Sequence, residues 1–235
     1  MVSGVGERVW GIVVAAGSGL RFGGPKHEAR LGGKALWQWA RDALLDSGAQ
    51  RVVVVGPVPG GIEGGPERRL SVARGLDVVD PAATIVAVHD AARPLAPPRM
   101  IARMYRVLKH RRADGVVPVV SIPDSIKHVD GESGQVLTTF SRRQVLAAQT
   151  PQVFRADTLR RAHSSFRESD SPGSAPDDAA MVEEIGGLVV AARGDRLAMK
   201  ITYPEDLLIA EALLAKGSLS AARPGDGLGP KGGAV

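Results

Sequence analysis

The feature that most constrains this chain is the apolar, β-branched run at 9–15. It opens directly into Ala15-Ala16-Gly17-Ser18-Gly19-Leu20-Arg21-Phe22-Gly23-Gly24-Pro25-Lys26. A short apolar run without polar alternation is a strand buried on both faces, and such strands belong to parallel sheets covered by helices. The rest of the chain repeats this theme. Segments 52–55, 84–88, 116–120, 145–154, 188–192 and 198–202 read as strands. Between them lie helical stretches: one with core-facing Leu36, Ala40, Ala43 and Leu44 that Gly48 can end, then 67–75, 99–112, 156–166 and 179–185. A last helix opens at Thr202-Tyr203-Pro204-Glu205, where Thr202 and Glu205 have capping-box spacing, and ends near Gly217. The pattern predicts an α/β fold, a mostly parallel sheet with helices on both faces. Segment 122–140 alternates polar and apolar residues around Asp130-Gly131 and has no place in that sheet, so it reads as a projecting β-arm.

Length and composition limit the function classes. With 235 residues, 44% of them hydrophobic, the chain can build one domain with a real core, assigned to 1–216. Residues 217–235 are rich in Gly, Pro and Ala without periodicity and read as a disordered tail. Cysteine is absent, which excludes disulfides and thiolate metal sites. Aromatic residues make up only 4%, too few for the stacking platforms of single-strand nucleic-acid binders. The formal charge of +5 therefore points to a small anionic substrate rather than to nucleic acid. Arg99, Arg103, Arg106 and Lys109 recur at helical spacing opposite Met100, Met104, Val107 and Leu108, a solvated face. No charged-then-apolar leader opens the chain and no apolar run reaches membrane-spanning length, so a soluble, cytoplasmic protein is expected.

Two segments carry chemistry on their own residues. Glycines straight after a strand let backbone N–H groups approach phosphate oxygens, while Arg21 and Lys26 supply cations where a triphosphate would lie. This is neither Walker A, which needs Gly-Lys-Ser/Thr, nor the dinucleotide fingerprint, which does not need the paired cations. The second segment is His89-Asp90-Ala91-Ala92-Arg93-Pro94, directly after a strand. Asp90 can accept from a substrate hydroxyl or help to hold Mg²⁺, and Arg93 can tie the loop. Ligands in open parallel sheets sit beyond the carboxyl ends of strands, so both segments fall on one functional edge. Taken singly, the glycine segment could be a plain turn and Asp90 a turn cap. Arg142, Thr150 and Lys200 alone would be surface charge and capping.

Read in order, the blocks resemble the 2-C-methyl-D-erythritol 4-phosphate cytidylyltransferase family. They are the glycine loop with Pro25-Lys26, Gly64-Gly65-Pro66-Glu67-Arg68 with Ser71-Val72, His89 to Pro94, Asp124-Ser125-Ile126-Lys127, Gln149-Thr150-Pro151-Gln152 and Pro204 to Leu207. The resemblance implies a Rossmann-like nucleotidyltransferase sheet and transfer of a cytidylyl group from CTP to a small phosphorylated polyol, with Mg²⁺ as cofactor and no metal ligands assigned. Its nucleotide-binding positions fall on Ala15, Ala16, Gly17, Gly19, Gly65 and Ser71. Its catalytic positions fall on Arg21, Lys26, Arg142 and Lys200, and its substrate-binding positions on Asp90, Arg93, Ser125, Arg142, Thr150 and Lys200. It also implies a homodimer in which the arm crosses to complete the partner's site.

The sequence departs from the family's pattern at several places. His27-Glu28 follows Lys26 where Gln and an aromatic residue are usual, Ser125 and Ser141 replace Thr and Asp, Pro176 replaces Thr, and Ala198 replaces Asn. Segment 55–64 is short, without room for a helix and edge strand. The phosphate cations remain, and the alternatives concern mainly the acceptor. A ribitol 5-phosphate cytidylyltransferase would share most of these blocks. A molybdopterin-type nucleotidyltransferase would share the glycine loop but not the later blocks, and a non-catalytic nucleotide binder would dispense with Arg21 or Lys26. None of the five histidines is required as a catalyst, because the attacking phosphate is already largely ionised at neutral pH.

Overall fold

In the computed structural model, residues 7–17, 19–26, 28–168 and 175–217 are described. His27 lies outside them, and so does the predicted tail apart from Gly217. The apolar run forms β1 (Val9–Val14), which pairs in parallel with β4 (Arg51–Val55) on one side and β5 (Ile85–Asp90) on the other. Two short strands, β2 (Arg30–Leu31) and β3 (Lys34–Ala35), form a hairpin before α1 (Leu36–Asp46). The other helices of the first half are α2 (Arg68–Val78) and α3 (Pro98–His110). The second half adds β6 (Gly115–Ser121), β9 (Leu146–Ala148), β10 (Gln152–Arg155) and β11 (Val189–Arg193), with β7 (Ile126–Val129) and β8 (Val136–Phe140) apart from the main sheet. Its helices are α4 (Ala156–Glu168), α5 (Asp178–Glu184) and α6 (Pro204–Ala215).

The main sheet runs β11-β6-β10-β5-β1-β4, with β9 also on β6. It is mixed, because β10 runs antiparallel to both of its neighbours. Both faces are covered, as the buried-on-both-sides reading of β1 requires. Trp37, Ala40 and Leu44 of α1 and Met100, Met104 and Leu108 of α3 pack with Val13, Ala87 and Val153 on one face. Val72 and Leu76 of α2, Leu159 of α4 and Met181 of α5 pack with Ile12, Val88 and Phe154 on the other. Fully burying such side chains stabilises the fold by about 1.5–3 kcal/mol each. Arg99, Arg106 and Lys109 are exposed on α3, and the half-buried Arg103 donates to the Arg193 carbonyl. Among the described residues no helix is long and apolar enough to cross a membrane.

Four segments differ from the sequence reading, most of them where a side chain or loop takes a backbone partner. The strand predicted at 84–88 continues to Asp90, because His89 and Asp90 stay in register with Val13 and Val14 of β1. The strand predicted at 198–202 is a 3₁₀ turn (Arg196–Ala198) followed by extended chain. Its backbone serves loops instead of a neighbouring strand: the Ala198 carbonyl accepts from Arg93 at 2.7 Å, and Ile201 N–H donates to the Ala92 carbonyl at 2.8 Å. At the start of α6 it is Asp206, not Glu205, whose carboxylate accepts from the N–H groups of Thr202 and Tyr203, at 2.7 and 2.8 Å. Predicted segment 145–154 also splits into β9 and β10. Between them the side-chain amide of Gln149 reaches across to the backbone N–H and carbonyl of Asp195, at 3.1 and 2.9 Å.

The arm is a two-stranded sheet of its own, β7 against β8. Its turn spans Asp130 to Gln135 rather than two residues. Asp130 Oδ1 organises it by accepting from Ser133 N and Oγ at 2.8 and 2.7 Å. Val129, Val136, Leu137 and Phe140 are all exposed on it. Between Val55 and α2 the short segment holds neither a helix nor a named strand, as its length implied, and only one isolated bridge, Val55 to Ile62.

Candidate active site

β1, β4 and β5 end level with one another, Val14 beside Val55 and Asp90, and a cavity of about 630 Å³ opens beyond those ends. The glycine loop forms one wall. Ala15, Ala16, Gly17, Gly19, Arg21 and Lys26 line it. Gly19 has φ +66°, and a Cβ there would fall on the Gly24 carbonyl oxygen, so the loop closes only with glycine. The opposite wall is the entry to α2: Gly65, Pro66, Glu67, Arg68 and Ser71. Gly64 lets this wall approach the loop, since a Cβ there would overlap the Ala16 methyl. Ser71 Oγ accepts from Gly65 N–H at 3.0 Å and fixes that turn. The helix starts without a side-chain cap on its first-turn N–H groups, and its positive dipole end borders the cavity.

Asp90 and Lys200 complete the cavity. Lys200 Nζ contacts Asp90 Oδ2 at 2.9 Å, and Arg68 Nε contacts Asp90 Oδ1 at 3.1 Å. Burial alone would raise the Asp90 pKa. Arg68 and Lys200, with Arg93 behind them, overcome it and hold the carboxyl well below its usual range, so Asp90 is ionised. Lys26 Nζ donates to the Ile201 carbonyl at 2.8 Å, which joins the glycine loop to the segment carrying Lys200. Its pKa is lowered, first by burial and then by the like charges of Lys200 and Arg21. Four cations, Arg21, Lys26, Arg68 and Lys200, thus converge on a cavity that holds two carboxylates, those of Glu67 and Asp90. Such a site is poised for a polyanion.

The remaining residues expected from sequence sit elsewhere. Thr150 is buried behind β5: its hydroxyl accepts from Asp90 N–H at 3.0 Å and pairs with His89 Nδ1 at 2.8 Å. The burial that surrounds His89 lowers its pKa to about 3, so the ring is neutral and structural. Arg93 does tie the loop, donating to the carbonyls of Ala198 and Ala148 at 2.7 and 3.3 Å. Ser125 and Arg142 are exposed at the arm, where Arg142 Nη1 donates to the Pro123 carbonyl at 2.9 Å, and neither lines this cavity.

A family model described as IspD, 2-C-methyl-D-erythritol 4-phosphate cytidylyltransferase, matches residues 9–216. The chain belongs to the 2-C-methyl-D-erythritol 4-phosphate cytidylyltransferase family. The protein of that name from Rhodococcus jostii (strain RHA1) is 43% identical over 234 residues, covering 93% of this chain and all of the relative. The one from Streptomyces avermitilis is 36% identical over 243 residues, covering 92% of this chain and 95% of the relative. The crystal structure of the Thermus thermophilus cytidylyltransferase has a TM-score of 0.74 and 34% identity, covering 88% of this chain and 99% of that one. The chain is therefore a nucleotidyltransferase enzyme with the family's α/β fold. Within this cytidylyltransferase, Trp37 and Arg68 also line the cavity, two residues that the sequence reading does not place in the site. Arg68 stands inside the Gly64 to Arg68 block, which was the available signal; Trp37 looks like an ordinary core position of α1 in any sequence window.

Proposed function

We propose that this cavity transfers the cytidylyl group of CTP to 2-C-methyl-D-erythritol 4-phosphate, releasing pyrophosphate and 4-diphosphocytidyl-2-C-methyl-D-erythritol for isoprenoid biosynthesis. The observation that carries the reading is the convergence of Arg21, Lys26 and Lys200 on one cavity at the carboxyl edge of the sheet. CTP lies along the glycine loop and the entry to α2, with its triphosphate against backbone N–H groups, Arg21 and Lys26. An acceptor phosphate oxygen attacks the α-phosphorus, the bond from that phosphorus to the bridging oxygen breaks, and pyrophosphate leaves. Arg21 and Lys26 neutralise the charge that grows on the α-phosphate and leaving group, and Lys200 holds the attacking phosphate in line. Asp90, ionised beside Lys200, accepts from an acceptor hydroxyl.

Among the described residues no three His, Asp or Glu side chains cluster as a metal site. Mg²⁺ commonly binds through one or two carboxylates plus substrate phosphates. Asp90 and Glu67 are the carboxylates that line the cavity, but Lys200 and Arg68 already hold Asp90 and Arg69 pairs with Glu67, so the substrate phosphates would supply most of the ligands. When bound, the ion supplies positive charge to the phosphate oxygens. Arg142 and Ser125 act from the arm of a second subunit in a homodimer, a reading supported by their absence from the lining of their own cavity and by the exposed apolar residues of the arm. The cytoplasm is the location assigned. Pyrophosphate release from CTP and Mg²⁺ with a panel of polyol phosphates tests the function. The methylerythritol phosphate should exceed ribitol 5-phosphate in kcat/KM by about tenfold or more, a gap worth about 1.4 kcal/mol. A preference for ribitol 5-phosphate would overturn the acceptor assignment.

A further inference from the structure

Arg68, the first residue of α2, spans two carboxylates that come from different parts of the chain. Its Nε contacts Asp90 Oδ1 at 3.1 Å, and its Nη1 contacts Asp178 Oδ2 at 2.6 Å. Asp178 is completely buried at the start of α5, and its other oxygen meets His163 Nε2 at 3.0 Å. Asp90's other oxygen belongs to Lys200. The result is a line of alternating partners, Lys200, Asp90, Arg68, Asp178 and His163, running from the cavity into the core. Arg68 Nη2 is buried without a hydrogen-bond partner, so the two carboxylates set the orientation of the guanidinium at the expense of one donor. A planar fork with its donors at fixed angles holds two carboxylates in one set geometry, which a rotatable ammonium on a flexible stem does not impose.

Building on the function proposed above, we infer that Arg68 is a positioning residue for the acceptor. It holds Asp90 Oδ1 so that Asp90 cannot close with both oxygens onto Lys200, which leaves the ammonium for the acceptor's phosphate and the carboxylate for its hydroxyl. Without Arg68, Asp90 keeps Lys200 as its nearest cation and turns onto it, neutralising the group that must grip the substrate. Asp178 and His163 fix Arg68 from the core side. The effect should be read chiefly on the acceptor, because Asp90 and Lys200 are the groups proposed above to grip it, and no hydrogen bond or ion pair joins Arg68 to Arg21 or Lys26.

The test is a double-mutant cycle on the intact enzyme with Arg68→Gln, Asp90→Asn and the double variant, KM being measured separately for the acceptor and for CTP. Arg68→Gln should raise the acceptor KM by about tenfold or more while the KM for CTP stays within about threefold. In the Asp90→Asn background, removing Arg68 should change the acceptor KM by less than about threefold, because its effect passes through Asp90. Multiplicative effects would overturn the inference, as would an unchanged acceptor KM in Arg68→Gln. If Arg68→Gln does not fold in a thermal melt, Arg68→Lys carries the test: it keeps the charge without the fork, so the acceptor KM should still rise, and a wild-type value would overturn the inference. Asp90→Asn with an unchanged acceptor KM would instead overturn the role of Asp90 in the proposed function, and the inference with it.

Discussion

Replacing Lys26 by alanine removes one of the four cations that line the cavity. In the free protein its ammonium donates to the Ile201 carbonyl at 2.8 Å and lies 5.8 Å from the Phe22 ring centre. Burial, then Lys200 and Arg21, lower its pKa, so the resting protein bears a cost for the charge. Losing the partly exposed hydrogen bond costs about 1 kcal/mol, and relief of like-charge repulsion offsets part of it. The melting temperature should accordingly move by no more than about 4 °C. The transition state is different, because charge develops on the phosphates next to this group. Removing one such donor costs about 3 kcal/mol, or about a hundredfold in kcat. Pyrophosphate release at saturating CTP and acceptor, with a melt on the same sample, makes the comparison. The pH profile gives a second readout. The protonated lysine is the active form, so kcat/KM should fall as pH rises through a value below the ordinary lysine pKa of about 10.4. A bound triphosphate favours the proton, so the limb in kcat should lie at higher pH. Lys26→Arg should lack this limb. A folded Lys26→Ala enzyme with kcat within about threefold of wild type would refute the electrostatic argument.

Thr150→Val leaves the buried Asp90 N–H without its acceptor and should cost about 1–3 kcal/mol in urea denaturation; unchanged stability would show that this pairing is dispensable. Gly19→Ala forces an L side chain into φ +66° against the Gly24 carbonyl and should raise the KM for CTP by about tenfold with a lesser effect on the acceptor KM, whereas equal effects on both substrates would count against a nucleotide role for the loop. On the arm, Leu137→Asp with Phe140→Asp should shift sedimentation from dimer to monomer, and a compact, fully active wild-type monomer would rule out the arm's part in assembly.

Much of the architecture was legible because it is written in local periodicity. The apolar run of β1, the core stripe of α1 and the exposed basic face of α3 each follow from spacing within about a dozen residues. The failures arise where a distant side chain intervenes. Nothing near 198–202 announces that Arg93, more than a hundred residues earlier, takes the Ala198 carbonyl, or that the Ala92 carbonyl takes the Ile201 N–H. Thr150 illustrates the same limit at the site. Its block marks it as important, but its hydroxyl is turned inward to His89 and Asp90.

The sequence by itself determined the chemistry class. A glycine turn straight after a buried strand, two cations within that turn and the ordered blocks beyond it are local patterns that specify a phosphate-handling site. Tertiary structure alone decided which groups share the cavity. Lys200 meets Asp90 across 110 residues, and Arg68 meets Asp178 across another 110, because the order of strands in the sheet brings the start of α2, the end of β5, the start of α5 and the approach to α6 to one edge. The same topology sends Arg142 and Ser125 out on the arm. No sequence window contains that information: side-chain pairing over such separations is set by which strands become neighbours, a property of the whole packed chain.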